Sequence, residues 1–403
     1  MNKIYPAASL AGGLLFLVGC QSTLPTALSV TVANPQSGSS LSQVIDLPLA
    51  QPLPMQQNLR ANDNSRIELL DNDGDNLAEA ARLQTSLAAG QSKTIRFSHD
   101  PRYQLPTLTH AELSTRVGGK WHGSDYIAGY FGFETVESYD TPPQATDHSY
   151  NLRYEGPGWE NDQIGYRLYL DWRNAIDVFG KKNSAIVLPQ VGLDGYESYH
   201  HMSDWGQDLL KVGSALGVGA LGRLDNGKVM HFQDHRTMHY QLLENGHLSS
   251  AFEVDYKDWK VADKVIDVDT RYRINAGDAA TTIEVNTSKP VDNLVTGLVK
   301  HPNTVQLQQQ DQHWGYIARY GKQSLAGDDD ELGFALFYQL DQVAGLQQGE
   351  HDDLVLFKPS SKTISYQILS AWPQLKGGIN NQQDFEKLLN DKLQALEHPL
   401  QLQ

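Results

Sequence analysis

The sequence predicts a mainly β protein, an antiparallel sandwich of stacked sheets. Apolar and polar residues alternate in many short runs, which is typical of half-buried strands. Turn-forming residues such as those at 327–330 separate these runs, and apolar side chains at helical spacing occur clearly in the last part of the chain. Strand-like and helix-like segments do not alternate, which argues against a parallel α/β sheet.

The predicted strands follow from this alternation, because side chains along a strand point to opposite faces in turn. The strand-like runs are 91–97, 250–256, 281–285, 314–320, 332–340, 354–358 and 363–369. Residues 276–278 and 358–360 are turn sequences between them.

The carboxyl end predicts one helix. From Asp384 onward, apolar residues recur at helical spacing and form one stripe, at Phe385, Leu388, Leu389, Leu393 and Leu396. We expect this stripe to pack across a sheet.

We expect a small β unit at 44–105 and the main sandwich domain at 106–403. The small unit contains three aspartates at alternating positions in the run 71–76. An EF-hand loop needs Gly at its sixth position and Glu at its twelfth, where this chain has Asn76 and Arg82. A polar turn is therefore the favoured interpretation, and calcium is the alternative.

The amino end predicts export and lipidation. Lys3 is followed by a mostly apolar run at 7–18 that is too short to span a membrane, and then by Leu-Val-Gly-Cys ending at Cys20. This tetrapeptide resembles the lipobox of bacterial lipoproteins. We expect a signal peptide at 1–19, a lipidated Cys20 and a flexible tether at 20–43, with the protein anchored at the outer membrane and facing the periplasm or the surface. A plain signal peptide with an incidental cysteine is the alternative.

The charge of the chain limits its partners. The formal net charge is −16 and the chain has one cysteine. Such a surface repels nucleic acid and anionic lipid. We expect membrane contact only through the lipid anchor, no nucleic-acid partner and no intrachain disulfide.

Residues 154–223 concentrate the chemistry-bearing side chains, so this region is predicted to form the functional site. Its Gly-rich stretch lacks the strand and helix context of a nucleotide site. His200 and His201 lack a third ligand at a familiar spacing, so no metal is predicted here. The candidate catalytic residues are Arg167, Lys181, Tyr199 and His200. The candidate binding residues are Trp159, Glu160, Asp162, Asp177, Trp205 and Asp208.

Each of these residues also has a purely structural interpretation. Asp177 and Lys181 fit a local ion pair, and the acidic residues after Trp159 fit an exposed turn before a strand. In that strand, Arg167 and Gln163 would share the face opposite to Tyr166 and Leu168.

Three motifs in this region carry a family resemblance. The runs 159–167, 176–181 and 199–213 look like those of an uncharacterised family of exported bacterial proteins, over roughly Ala50 to Leu396. That family is similar to the galactose-mutarotase-like group, and its genes tend to lie among those for pectin and other uronate polysaccharides. The resemblance implies a β-supersandwich with a groove across one sheet and an oligosaccharide ligand.

The resemblance leaves three functions open, since fold does not determine reaction. A uronate lyase would use Arg167 or Lys181 to neutralise the substrate carboxylate, with His200 and Tyr199 moving protons. An epimerase, mutarotase or glycoside hydrolase would use the carboxylates as acid and base. A non-catalytic sugar-binding lipoprotein is the third. We expect the polar candidates to line one groove, and no cofactor is predicted.

Overall fold

The computed structural model describes residues 28–128 and 132–403. The predicted signal peptide, Cys20 and the first part of the predicted tether lie outside the described residues. Within the described ranges, no helix is long and apolar enough to cross a membrane.

An amino-terminal unit is built from the first six strands, which are β1 (Leu28–Ala33), β2 (Leu41–Pro54), β3 (Leu59–Ala61), β4 (Arg66–Leu70), β5 (Leu77–Leu87) and β6 (Ser92–His99). Residues 28–33 and 41–43 thus belong to strands, which corrects the expectation of a flexible tether there.

Nine short strands follow, which are β7 (Thr109–Arg116), β8 (Gly119–His122), β9 (Asp125–Ala128), β10 (Phe133–Val136), β11 (Ser138–Asp140), β12 (Gly158–Asn161), β13 (Gly165–Leu168), β14 (Ile176–Lys181) and β15 (Gly206–Asp208). Three 3-10 turns lie among them, at Arg153–Glu155, Leu188–Gln190 and Ser198–His200.

The remaining elements are β16 (Val218–Asp225), β17 (Lys228–Met230), β18 (Thr237–Asn245), β19 (Ser249–Val261), β20 (Lys264–Asn275), β21 (Ala280–Thr287), β22 (Leu294–Val299), β23 (Thr304–Gln310), β24 (Trp314–Lys322), β25 (Glu331–Gln339), β26 (Val343–Gln348), β27 (Asp352–Phe357), β28 (Ile364–Ala371), α1 (Gln382–Glu397) and β29 (Gln401–Leu402). All seven predicted strands and the helix are present in the expected places.

Two small sheets form the amino-terminal unit, in the orders β29-β1-β6-β3 and β2-β5-β4. Their facing apolar side chains, including Leu83 and Phe97, are fully buried in a core of their own. The last strand of the chain pairs antiparallel with β1, at Val32↔Leu402 and Ala33↔Gln401. The carboxyl end therefore ties this unit to the main body.

The main body stacks three antiparallel sheets in two layers. A nine-stranded sheet of order β11-β18-β19-β20-β21-β28-β25-β24-β23 faces a six-stranded sheet, β10-β7-β12-β13-β14-β15, and a five-stranded sheet, β17-β16-β22-β27-β26. Their side chains form one continuous buried core. The predicted β-sandwich class is confirmed.

Helix α1 packs on β24 and β25 of the nine-stranded sheet. A Cβ on Gly333 would lie 2.6 Å from the Phe385 ring, so the helix approaches the strand closely at this glycine. The side chain of Asn381 accepts a hydrogen bond from the amide of Asp384 and caps the amino end of the helix. The predicted packing of the apolar stripe across a sheet is confirmed.

The six-stranded sheet positions the candidate site because its two faces differ. Tyr166 and Leu168 of β13 point into the core between the layers. Arg167 points to the opposite face, where a second apolar cluster built partly from residues 187–199 covers the sheet. The alternation predicted for Tyr166, Arg167 and Leu168 is therefore correct, whereas Gln163 lies before β13 and does not share its face. The charged residues of the second face are enclosed rather than solvated.

Candidate functional site

Arg167 is the centre of a buried charge cluster on the outer face of the six-stranded sheet. Its Cα pairs with that of Asp177 on the neighbouring strand β14. Its Nε and Nη2 donate to Asp177 Oδ2 at 3.0 and 2.7 Å, and Nη2 also donates to Asp208 Oδ2 at 2.6 Å. Three adjacent strands thus bring together one guanidinium and two carboxylates.

Aromatic residues enclose this cluster. The Tyr169 hydroxyl donates to Asp177 Oδ2 at 2.6 Å, and Arg167 Nη1 donates to the Tyr199 hydroxyl at 3.2 Å. The guanidinium carbon lies 5.0 to 5.4 Å from the ring centres of Tyr169, Phe179 and Tyr199. Burial, together with the charge of Asp208, raises the pKa of Asp177 well above its ordinary value.

His200 connects the cluster to solvent. It ends the 3-10 turn Ser198–His200, and its Nε2 lies 3.3 Å from Asp208 Oδ2. Its side chain is 40% exposed, whereas that of Asp208 is 2% exposed. The hydrogen bond to Asp208 raises the pKa of His200. An accessible imidazole backed by a buried carboxylate can exchange protons with a bound molecule.

A second group of charges adjoins Arg167 and was not predicted from the sequence. Glu155 Oε2 lies 3.7 Å from Arg167 Nη1, and its Oε1 accepts from Arg173 Nη2 at 2.8 Å. Arg173 also pairs with Asp171 and Asp147. Burial acts to raise the pKa of Glu155, but the two arginines outweigh it and lower that pKa.

Left-handed backbone positions this second group. The φ angles are 59° at His148, 61° at Tyr150, 37° at Tyr154 and 71° at Glu155. Non-glycine residues adopt such angles at a cost, and they tend to do so at functional sites. No spacing rule reveals these conformations, so the sequence alone does not indicate Glu155 or His148.

An open groove of about 630 Å³ adjoins the 3-10 turn that carries His200, and both chain neighbours of His200 line it although the His200 side chain does not. Tyr199, His201 and Trp205 line it, together with Val191, Asp194, Ser198 and Met202. Trp205 is half-buried against Phe179, with the ring centres 6.0 Å apart, and part of its surface faces the groove. Trp205 is therefore placed where a sugar ring could stack on it.

Trp159 is not part of this site, which corrects its prediction as a ligand contact. It is 1% exposed and packs in the core against Tyr166, Phe252 and Tyr272. Its indole nitrogen donates to Thr281 Oγ1 at 2.9 Å. A ligand cannot reach a side chain enclosed between two sheets.

Glu160, predicted as a binding residue, and Lys181, predicted as a catalytic residue, are also not accessible to a ligand. Both side chains are fully buried, and Lys181 Nζ donates to Glu160 Oε2 at 2.5 Å. Glu160 Oε1 accepts the amides of Val187 and Leu188 at 2.7 and 2.6 Å. This ion pair fastens the covering segment to the sheet, so Lys181 is not available to neutralise a substrate.

Asp162 has a structural role at the other end of its hairpin. Its Oδ1 accepts the amide of Gly277 at 2.7 Å, which ties β12 and β13 to the turn at 276–278. Of the predicted site residues, Tyr199 and Trp205 line the groove. His200, Arg167, Asp177 and Asp208 form a charge cluster behind Tyr199, whose hydroxyl accepts from Arg167, and they do not line the groove.

Two groups within the described residues bring possible metal-ligand atoms within 4.8 Å of one another. One comprises Asp147, His148 and Glu155, and the other comprises Asp71, Asp73, Asp75 and Glu79. In the second, Asn76 adopts a φ of 70°. Backbone amides of the loop donate to Asp71, as expected for the polar turn that the sequence favours.

The fold and this site describe a β-sandwich protein with an imidazole beside a buried arginine–carboxylate cluster. The chain belongs to the family described as Domain of unknown function (DUF4861), whose model matches residues 33–402. The fold comparison found an α-mannosidase from Enterococcus faecalis V583, at 7% identity and a TM-score of 0.43, which covers 93% of this chain and 46% of that one.

A protein in the glycosyl hydrolase family 38, also from Enterococcus faecalis, matches at 8% identity and a TM-score of 0.42. That match covers 94% of this chain and 47% of the other. The chain spans about half the length of the structures it matches. No curated protein matches it in sequence.

Proposed function

We propose that this protein is a carbohydrate-active enzyme in which His200 transfers a proton to or from a sugar bound in the adjoining groove. The observation that carries the proposal is the contact of 3.3 Å between His200 Nε2 and the buried Asp208 Oδ2. A carboxylate behind an imidazole orients the ring and stabilises its charged form. The other side of the ring remains accessible to a ligand.

Glu155 supplies a second ionisable group of opposite character. The environment lowers the pKa of Glu155 and raises that of His200, and Arg167 contacts both ends of this arrangement through Glu155 and Asp208. Two groups whose pKa values are shifted in opposite directions are suited to act as a base and an acid. We therefore assign His200 as the acid, and Glu155 as the carboxylate that holds Arg167 and Arg173 without lining the groove.

The contacts favour acid–base chemistry of the epimerase or hydrolase kind over β-elimination from a uronate. A lyase needs a cation for the substrate carboxylate. Arg167 is 2% exposed and already holds two aspartates, and Lys181 is fully buried against Glu160. Both cations proposed for that role are already paired with buried carboxylates, whereas His200 and the groove are accessible to solvent.

The groove supports an oligosaccharide rather than a small metabolite as the ligand. Its volume of about 630 Å³ lies within the range of ligand sites. Trp205 offers an aromatic face, and Asp194 and Ser198 offer polar groups that can bind hydroxyls. A sugar chain along this wall would pass His200.

The test is turnover of an oligosaccharide panel, followed by mass spectrometry, by absorbance for unsaturated uronates and by NMR for epimerisation. His200→Ala should lose ~10²–10⁴-fold in rate, as expected for a general acid. His239→Ala is the matched control, since His239 forms a comparable pair with Asp140 on the nine-stranded sheet. Equal rates for His200→Ala and wild type would refute the assignment. Binding without turnover of any sugar would favour a non-catalytic sugar-binding protein.

A further inference from the structure

We infer that the sugar ring bound beside His200 is uncharged, and that the site selects against uronates by its excess of carboxylates. This inference rests on the proposed function and adds the class of substrate. It differs from the uronate substrate that the sequence resemblance implies.

The first support is the charge of the network next to the groove, which is joined to it by Tyr199: the Tyr199 hydroxyl accepts from Arg167, and the same side chain lines the groove. Arg167 contacts Asp177, Asp208 and Glu155. Arg173 contacts Glu155, Asp171 and Asp147. Five carboxylates thus face two guanidinium groups in this network. Because this network is largely buried, water screens its charge less than at an open surface.

The second support is that the two nearest further arginines, Arg153 and Arg173, have terminal guanidinium nitrogens that already donate to protein groups. Arg173 is 13% exposed at its side chain and donates to Asp171 and Glu155. Arg153 pairs with Glu112 and donates to the carbonyl of Pro189 at 3.2 Å. A substrate carboxylate would have to displace one of these carboxylates, and that would leave a buried charge without its partner.

The third support is the lining of the groove itself. Its polar side chains include the neutral Gln190 and Ser198 and the acidic Asp194, to which the Ser198 hydroxyl donates. Its apolar side chains include Leu193 and Met202, which are 44% and 41% exposed. Hydroxyls and apolar ring faces of a neutral sugar match this lining.

Lys182 is the cation that would contradict this assignment. Its Nζ donates to the carbonyl of Ser203, which lines the groove, at 2.9 Å. A uronate that bound at the groove would therefore depend on Lys182. The variant Lys182→Met tests whether a uronate binds through this lysine.

The same excess of negative charge has a consequence for the reaction. Glycosidic bond cleavage passes through a transition state with positive charge on the sugar ring. Carboxylates held in place behind the wall of the groove stabilise such charge without reorganisation. A protonated iminosugar, which carries a positive charge at the ring, should therefore bind more tightly than the neutral sugar of the same configuration.

The test is calorimetric binding to the His200→Ala form of the full chain, with pairs of oligosaccharides that differ only in a hydroxymethyl or a carboxylate on one ring. Three pairs suffice, with glucose, galactose or mannose against the matching uronate. We expect the neutral member of one pair to bind at least about tenfold more tightly than its uronate. Asp208→Asn should reduce that ratio, because it removes a negative charge.

Equal or tighter binding of the uronate, lost in Lys182→Met, would overturn the inference. If wild type turns over a sugar but shows no discrimination by charge, the inference fails and the proposed function stands. If a neutral sugar binds selectively but no reaction occurs, the catalytic proposal fails and the charge selection stands. If no member of any pair binds, both fail.

Discussion

His200 and Asp208 stand 3.3 Å apart, from imidazole Nε2 to carboxylate Oδ2, with the imidazole at the surface and the carboxylate beneath it. The hydrogen bond and charge of Asp208 raise the pKa of His200, and partial burial opposes the shift. Asp208→Asn should therefore lower the His200 pKa. A histidine NMR titration measures this shift, and Asp140→Asn is a control that alters the pair with His239 instead.

The same pair predicts a pH dependence of stability. Since the folded state raises the pKa of His200, its contribution is fully present below the unfolded value of ~6.5 and is lost as pH rises through the folded value. The difference in stability between wild type and Asp208→Asn should shrink over that interval. A difference that grows with pH would contradict the assigned pairing.

The buried pair Glu160–Lys181 predicts a large loss of stability when one partner is removed. Lys181→Met should destabilise the fold by ~3–5 kcal/mol, because it leaves Glu160 charged and buried without its cation. The double variant with Glu160→Gln should recover part of this loss, since the amide oxygen can still accept from Val187 and Leu188. Urea unfolding measures both, and a double variant no more stable than Lys181→Met would contradict the account.

Asp352 predicts a second pH dependence of stability, which arises from a buried carboxyl group rather than from a histidine. Burial raises the pKa of Asp352 to about 7, while its Oδ1 accepts the amide of Leu216 at 2.9 Å. The folded state therefore holds a proton that the unfolded chain releases near pH ~3.9, so stability should fall as pH rises from about 4 to 7. The raised pKa of Asp177 should likewise lower the stability of the fold as pH rises.

Asp352→Asn should flatten that part of the stability profile, because the amide keeps the hydrogen bond without a titration. Urea midpoints at pH 5 and pH 8 test this, with the exposed Asp328→Asn as control. An unchanged profile in Asp352→Asn would assign the pH dependence to other groups.

The lipobox-like motif predicts that the exported protein is anchored through acyl chains on Cys20. Cys20→Ser should move the protein from the membrane fraction to the soluble fraction, since stable anchoring needs more than one acyl chain and the variant would have none. Fractionation at high salt measures this, because salt removes proteins held only by charge. Retention of Cys20→Ser in the membrane fraction would exclude the anchor.

The sequence by itself determined the class of fold. Alternation along 314–320 and 332–340 predicts strands that are present as β24 and β25, and the stripe from Phe385 predicts helix α1. It also predicted correctly that Arg167 faces away from Tyr166. These features are local, because the period of a strand or helix is set by residues that are neighbours in the chain.

Only the tertiary structure decided which charged residues meet. Lys181 and Asp177 lie on one strand, and the sequence also allowed a local ion pair between them. In the structure, Lys181 pairs with Glu160 while Asp177 holds Arg167 beside Asp208. The difference arises from the order β12-β13-β14-β15 and from the segment that folds over it. The strand order and the position of the covering segment both depend on residues that are far apart in the chain. A buried charge is stable only next to the partner that this packing supplies.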